Sequence, residues 1–502
     1  MRLLLSSFLV LVTLSDSYKI LVYNSKYGHS HSNFLGMIAD TLAEAGHNVT
    51  SLIPILDKSL KDGTEKSNQV IYVQPDREVA QKYVGPMMSK SFYSTCKKVM
   101  EEPGLLDRLK AEKYDVYISE NFDVCGIGLS HAIQPKSVIG TSATNLNTWM
   151  FDEFGVPDAL SNRPSAHLSS FNARSFYDRL LNLYSSFLGR TFFYFTRRAT
   201  NIALKEHFGP DYPTIAEQSS NVAYVFTNAE PLLDYAAPTM SRVVNIPGVG
   251  AKAPKQLDKY WTDILTRRGK AILFSFGSVV KSIQMPDHMK KAVLEYENLE
   301  DEFATEYASK VENLVLTKWM PQVDILAHPN IAAFITHGGM GSTQETALRG
   351  VPGIFIPVFA DQPRNAGMME FNGFGKVFNK HDLADADKLT ATIEEILENE
   401  KYRHNAQRIS KMLARKPFSS KQQLIKYVEF AAEFGPSAAL RPQSIDMNFI
   451  EYHNLDIIFV AFFSFLALVY ILYIVVPNLA QFYHYFKLVI RKFRSAEKSK
   501  EE

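Results

Sequence analysis

The sequence predicts an α/β protein of two doubly wound domains facing each other across a cleft, with one C-terminal transmembrane helix. Three observations carry the prediction. Short apolar runs alternate with helical patterns in two successive series; the stretch VVNIPGVGAKAPK (243–255) interrupts them with Pro, Gly and Lys; and residues 457–476 are uncharged and largely apolar.

Residues 1–17 place one Arg before an apolar run closed by small residues, the layout of a cleaved secretory signal peptide and too short to cross a bilayer. The N-terminal domain, 18–245, opens with a buried strand at 20–23. A loop follows, then a helix with apolar Phe34, Leu35, Ile38 and Leu42, and a second strand near 48–53, which together make a βαβ unit. YDVYISE (114–120) and SVIGTSA (137–143) read as further parallel strands, 176–207 as a long aromatic-rich helix, and VAYVFTNA as a return to strand. A linker at 246–255 leads to the C-terminal domain, 256–440, where AILFSFGS, NLVLTKW, IAAFITHGG and GIFIPV each read as strand. Ligands in such sheets bind at the carboxyl ends of the strands.

The run 457–476 is long enough as a helix to cross the ~30 Å hydrocarbon core, and Pro477 is expected to close it. The tail, 477–502, carries Lys487, Arg491, Lys492, Arg494, Lys498 and Lys500, whereas Arg441 is the one Lys or Arg in 436–456. The positive-inside rule puts the tail in the cytosol and the two domains on the other side, a single-pass type I arrangement. The final KSKEE resembles a dilysine retrieval signal for the endoplasmic reticulum. Asn48, in Asn48-Val49-Thr50, heads the single N-glycosylation sequon, usable only in a lumenal domain.

A net charge of +1 supplies no electrostatic footprint for nucleic acid. Two cysteines, Cys96 and Cys125, exclude a disulfide scaffold and zinc-ribbon spacing; one bridge and two buried thiols both stay open.

The chemistry concentrates in THGGMGSTQE (336–345). A strand delivers His337 to the sheet edge, glycines 338, 339 and 341 let backbone approach a ligand, and the helix that begins there offers amides to an anion. The Gly-Lys-Ser/Thr ending of an ATP loop is missing, and a histidine with helix amides suits a diphosphate bonded at both ends. Trp319 to Gln322 precede this turn and Asp361 to Asn365 follow it, each at a strand's carboxyl end, so all can converge on one cleft.

The stretch WMPQVDILAHPNIAAFITHGGMGSTQETALRGVPGIFIPVFADQPRN resembles the donor-binding signature of UDP-glycosyltransferases, nearest to the animal, nematode-like, membrane-bound UDP-glucuronosyltransferases. The likeness covers the whole chain, from signal peptide through EYHNLDII to the basic tail. It implies a GT-B fold of two Rossmann-like domains, with UDP-sugar as co-substrate, no cofactor and no metal. On these residues it implies that Trp319 stacks on uracil with Gln322 beside it, and that Glu345 accepts from the ribose hydroxyls. His337, Ser342 and Ser278 would bind the diphosphate, and Asp361 and Gln362 the sugar hydroxyls. Gly341 stands where many relatives have asparagine, removing one diphosphate hydrogen bond. The Asp385-Ala386-Asp387 triplet reads as a helix cap, not as a metal site.

A base must take the acceptor's proton, and KYGHSH at the end of the first strand offers His29 and His31. In the family the catalytic histidine lies about sixteen residues before a Gly-His turn; His31 stands so before His47. The family's orienting carboxylate falls by count from Asp115 on Glu120, with Asp123 as fallback. The implied step is an inverting displacement in which His337 and the helix amides neutralise the UDP leaving group. The donor is glucuronic acid, with glucose as alternative, and the acceptor a small lipophilic molecule. Residues 180–204, with Arg190, Arg197 and Arg198, read equally as a membrane-surface face or as core.

One departure stands out. Where relatives have a strand of the type VTFIWKYE, MKKAVLE here runs straight into YENLEDEF at 295–296. A missing sheet strand would expose an edge, which frames the rival reading: an inactive, lipophile- or partner-binding relative.

Overall fold

A parallel strand covered on both faces needs apolar side chains at successive positions, and β1 (Lys19–Tyr23) has them: Ile20 and Val22 enter one core cluster, Leu21 and Tyr23 the other. The computed structural model describes residues 17–74, 87–251, 253–267, 269–277, 286, 314–315, 317 and 319–498. Within them β2 (Asn48–Pro54), β3 (Gln69–Val73), β4 (Val116–Glu120), β5 (Ser137–Ser142), β6 (Tyr224–Thr227) and β7 (Val243–Asn245) join β1 in a parallel sheet of order β3-β2-β1-β4-β5-β6-β7. The order reverses between β1 and β4, whose register pairs Tyr23 with Ser119. The crevice at the carboxyl ends of these two strands is therefore where such a sheet binds ligand. Helix His29–Glu44 buries Phe34, Leu35, Ile38 and Leu42 on one face, as its spacing requires.

The second parallel sheet, β11-β10-β9-β8, comprises β8 (Ala271–Ser275), β9 (Ile331–Thr336), β10 (Gly353–Phe355) and β11 (Gly375–Val377). In NLVLTKW, the described residues 314, 315, 317 and 319 lie outside any strand. The junction at 295–296 and the signal segment 1–16 lie outside the described residues.

Packing redraws two expected boundaries. Helix Ser420–Phe434, counted above in the 256–440 domain, buries Leu424, Val428, Ala431 and Ala432 against the first sheet. The expected linker 246–255 begins inside that same core with Ile246 and Val249. Apolar positions on a helix say that it is covered, not by which sheet.

Cys96, on helix Met87–Glu101, and Cys125, heading helix Cys125–Ile133, form a disulfide across a separation of 29 residues. Loop-closure entropy for a loop of that length predicts that replacing both by alanine lowers unfolding free energy by about 3–4 kcal/mol, measurable as a shifted denaturant midpoint.

Helix Phe176–Phe208 turns Asn182, Ser186, Gly189 and Phe193 inward and leaves Phe176, Tyr177, Tyr184, Phe187 and Phe195 exposed. A Cβ on Gly189 would lie 2.8 Å from the Trp149 ring, so glycine there permits the helix to approach. Arg190 and Arg197 pair with Asp158 and Glu153. Both readings of 180–204 find residues here: Phe193, Ala203 and Leu204 enter the core, and Tyr184, Phe187 and Phe195 form an exposed apolar face.

From Pro442 the chain forms a separate unit. Its helix Leu455–Lys498 is long and apolar enough to span a bilayer over 455–492, with mean hydropathy 2.7. The expected stop at Pro477 does not occur. Proline removes one amide donor, and the helix tolerates the loss while Asn478 Nδ2 donates to the Ile474 carbonyl one turn back.

Candidate active site

The chain leaves β1, keeps pairing with β2 through Asn24 and Lys26, and enters helix His29–Glu44 at Gly28. That route sets His31 in the helix's first turn, opposite Glu120 at the end of β4. Glu120 is 1% exposed, and a buried carboxylate must be bonded. Its Oε1 accepts from His31 Nδ1 (2.5 Å) and the Ala143 amide (3.1 Å), and its Oε2 from the Tyr27 hydroxyl (2.8 Å). A carboxylate only accepts, so it assigns the imidazole proton to Nδ1 and leaves Nε2 basic. Burial alone would lower the His31 pKa; the Glu120 charge and hydrogen bond overcome it, Asp361 adds to them, and the value is raised.

The alternatives His29 and Asp123 stand in other surroundings. His29 is shifted down by burial and then by Lys61, opposite to a histidine held by a carboxylate. Asp123 accepts from the Tyr23 hydroxyl (3.4 Å) and the Cys125 amide (3.2 Å), and burial raises it to about 6. It anchors the helix start at Cys125, not His31.

Around His31 runs an aromatic wall. Phe122 lies 5.4 Å from its ring and stacks on Tyr27, Phe193 meets Phe122 edge-on, and Trp149 stacks on Phe193 at 4.6 Å. Phe193 and Trp149 belong to the core of the first sheet, and Phe122 and Tyr27 join that core to His31.

The opposite side is built from β9 and the helix Met340–Arg349. Gly338 has φ +79°, a turn only glycine makes without strain. His337 is sandwiched: a Cβ on Gly277 would lie 2.7 Å from its Cε1, and one on Gly339 2.6 Å from its Nε2. Burial lowers its pKa to about 4. A ring so buried favours its neutral, hydrogen-bonding form, and the amides that open the neighbouring helix, whose N-cap Gly339 provides no side-chain partner, add a positive field beside it. Gly341 faces open space.

Gln322 Nε2 donates to Glu345 Oε2 (2.6 Å) and Ser342 Oγ (3.4 Å), so three expected donor-binding residues meet on two neighbouring helices. Burial raises the Glu345 pKa, against the bond from Gln322. Trp319 is 70% exposed, which excludes core packing and leaves a ring face for stacking. Asp361 accepts from Asn365 Nδ2 (2.8 Å), and its pKa is raised by burial. Gln362 commits its carbonyl oxygen to the Val358 (2.8 Å) and Phe359 (3.1 Å) amides, so its amide nitrogen is the group left to offer a ligand. Asn48 is exposed at the first position of β2, and Asp385 caps helix Ala386–Glu398 through the Lys388 amide. Ser278 lies outside the described residues.

The two halves are joined beside this cleft. Arg364 donates to Asp234 and to the Pro164 carbonyl (3.1 Å), Arg163 lies 3.9 Å from Asp234, and His167 Nδ1 donates to the Ala360 carbonyl (3.1 Å). Gln344, on helix Met340–Arg349, donates to the Asn228 carbonyl. Asp361 and His31 thus come within electrostatic reach of one another.

A parallel-sheet crevice, a helix N-terminus behind three glycines and a histidine–carboxylate pair call for comparison with known proteins. The sequence profile described as "UDP-glucoronosyl and UDP-glucosyl transferase" matches residues 52–494. The chain belongs to this family. It is a UDP-glycosyltransferase. The enzyme is 28% identical over 498 residues to the Caenorhabditis elegans sequence assigned by name to the UDP-glucuronosyltransferases as ugt-48, covering 92% of this chain and 95% of that one. It is 26% identical to rat UDP-glucuronosyltransferase 1A7, covering 88% of each. Among solved structures, the glycotransferase of kitacinnamycin superposes with TM-score 0.59 at 16% identity, covering 84% of this chain and 99% of that one. Phytolacca americana UGT2, complexed with UDP-2fluoro-glucose and pterostilbene, gives 0.56 at 15%, covering 83% and 100%. The transferase therefore has the fold of these glycosyltransferases.

Sequence reasoning missed Tyr27, Arg364 and Asp234. Tyr27, four residues before His31, was the one within local reach.

Proposed function

We propose that the enzyme transfers glucuronic acid from UDP-glucuronate, with inversion and without metal, to a hydroxyl or similar nucleophile of a small lipophilic acceptor. The hydrogen-bonded His31–Glu120 pair within reach of Asp361 carries the reading. His31 Nε2 takes the acceptor proton while the acceptor oxygen attacks the anomeric carbon. The bond from that carbon to the diphosphate breaks, and the charge developing on UDP falls on the amides that open helix Met340–Arg349. Glu120 balances the imidazolium that forms. Asp361 and the Gln362 amide hold sugar hydroxyls, Glu345 the ribose, and Trp319 the uracil. Asp385, which caps a helix, takes no part.

We place the enzyme in the endoplasmic reticulum membrane with both sheets lumenal. The basic tail favours this orientation, and the disulfide favours an oxidising compartment. The exposed aromatic face of helix Phe176–Phe208 supports contact with the bilayer surface.

Microsomes containing the full chain test the reading when offered UDP-glucuronate or UDP-glucose with a phenolic acceptor. Faster product formation with UDP-glucuronate is expected; preference for UDP-glucose would change the donor and leave the mechanism. Trp319→Ala is expected to raise the Kd for UDP by roughly one to two orders of magnitude, read by calorimetry, as loss of one base-stacking contact does. An unchanged Kd would remove Trp319 from the uracil site.

A further inference from the structure

We propose that Tyr27 is a positioning residue for the transfer reaction, its hydroxyl fixing the carboxylate of Glu120 and thereby the basicity of His31. The inference rests on the His31–Glu120 reading and deepens it.

The three groups close a triangle. The Tyr27 hydroxyl lies 2.8 Å from Glu120 Oε2 and 2.6 Å from His31 Nδ1, and Nδ1 lies 2.5 Å from Glu120 Oε1. Two proton arrangements are conceivable. If Tyr27 donated to Nδ1, the imidazole proton would sit on Nε2 and the base would be disabled. If Tyr27 donates to Oε2, Nδ1 must itself donate, and Nε2 is free. The carboxylate decides between them, because a phenol gives its proton to a buried anion before a neutral ring nitrogen. Glu120 has no solvent to complete its shell. Without Tyr27, Oε2 loses the donor that saturates it.

The phenol ring is fixed independently of its hydroxyl. It stacks on Phe122 (5.5 Å, 16°) and meets Phe92 edge-on (5.6 Å, 84°). Phe122 lies two residues beyond Glu120, and Phe92 lies on the helix tied by the disulfide. Burial, and then the Glu120 charge, raise the Tyr27 pKa well above its ordinary value, so the phenol keeps its proton wherever the enzyme works.

Donation to a carboxylate spreads its charge and lowers its basicity. The groups that act on His31 are Glu120 from β4, Asp361 from across the cleft and, by its 2.6 Å contact, Tyr27 itself; Asp123 acts on Tyr27. All but Tyr27 are carboxylates, and of these only Glu120 changes its hydrogen bonding when the hydroxyl goes. Its charge then concentrates, the imidazolium is favoured, and His31 becomes harder to deprotonate.

Tyr27→Phe keeps the ring stacking and tests the hydroxyl alone, in the full-length membrane-bound chain. The expected result is a kcat lowered about tenfold and an acid limb of kcat/KM moved up by roughly half a unit to one unit. UDP affinity, read by calorimetry, stays at the wild-type value. Wild-type kcat with an unmoved acid limb overturns the proposal, and so does a loss of UDP binding, which would make Tyr27 a folding residue only. A parallel His31→Ala arm separates the two readings: if that variant keeps its turnover, the dyad itself is wrong, whatever Tyr27→Phe shows.

Discussion

His31→Ala lowers kcat by about two to four orders of magnitude, the range that a positioned general base contributes, while UDP affinity is unchanged. The separation is expected because the proposed donor contacts lie on the second sheet and its helices, whereas His31 touches Glu120, Tyr27 and Phe122 on the first. Turnover and calorimetry on the same membranes check both halves. In the unmutated enzyme the proposed step needs neutral His31, whose pKa is raised by Glu120 against the lowering by burial. Activity therefore falls as pH drops through a value above the ordinary ~6.5 of histidine. Stability runs the other way: a folded-state pKa above the unfolded one stabilises fully below the unfolded value, and this contribution is lost as pH rises through the folded value. An acid limb below the ordinary histidine range would mean that Glu120 does not hold His31 in the working enzyme.

The second large effect is on stability. Asp234→Ala is expected to cost about 3–5 kcal/mol, because it leaves buried cations without their counter-charge. Asp234 lies between Arg364, whose side chain is 3% exposed, and Arg163, which burial and then the Arg364 charge hold down to about 10. Arg364 also lies over the Tyr235 ring and bonds the Pro164 carbonyl, so it cannot turn out to water without breaking the contact between the halves. Urea unfolding of the full chain in detergent reads the loss. Asp234→Asn keeps the shape but not the charge and should recover little. Asp361 starts the helix that carries Arg364, so a raised KM for the UDP-sugar should accompany the destabilisation. A midpoint within error of wild type would show that the triad is solvated and unimportant.

Much of this protein is legible along the chain. Continuous apolar runs announce parallel strands, because a strand covered on both faces has no polar side to show. Glycines 338 and 339 announce a strand-to-helix turn with exposed amides, and the uncharged run 457–476 announces a helix of spanning length by composition, though not its continuation through Pro477 to Lys498. The pair His31 and Glu120 follows from the family resemblance, by spacing before His47 and by count from Asp115; Glu120 ends β4 and His31 stands in the first turn of the helix after β1, the neighbouring strand at the reversal of the sheet.

Other features were decided by the tertiary structure alone. The sequence leaves Cys96 and Cys125 open between bridge and thiols; only helix packing brings their Cα atoms to 5.4 Å. Helix Ser420–Phe434 has an ordinary amphipathic pattern that fits either sheet, and its apolar residues lie in the core of the first. His337 stands at a predicted anion turn, and only the fold shows the ring held between Gly277 and Gly339, where burial lowers its pKa. Arg364 and Asp234 are 130 residues apart, and Tyr27 and Glu120 are 93. Periodicity and turn chemistry report what a residue does to its own backbone and its near neighbours. Charge pairing, desolvation and proton placement depend on which distant groups arrive at the same point, and folding alone brings them there.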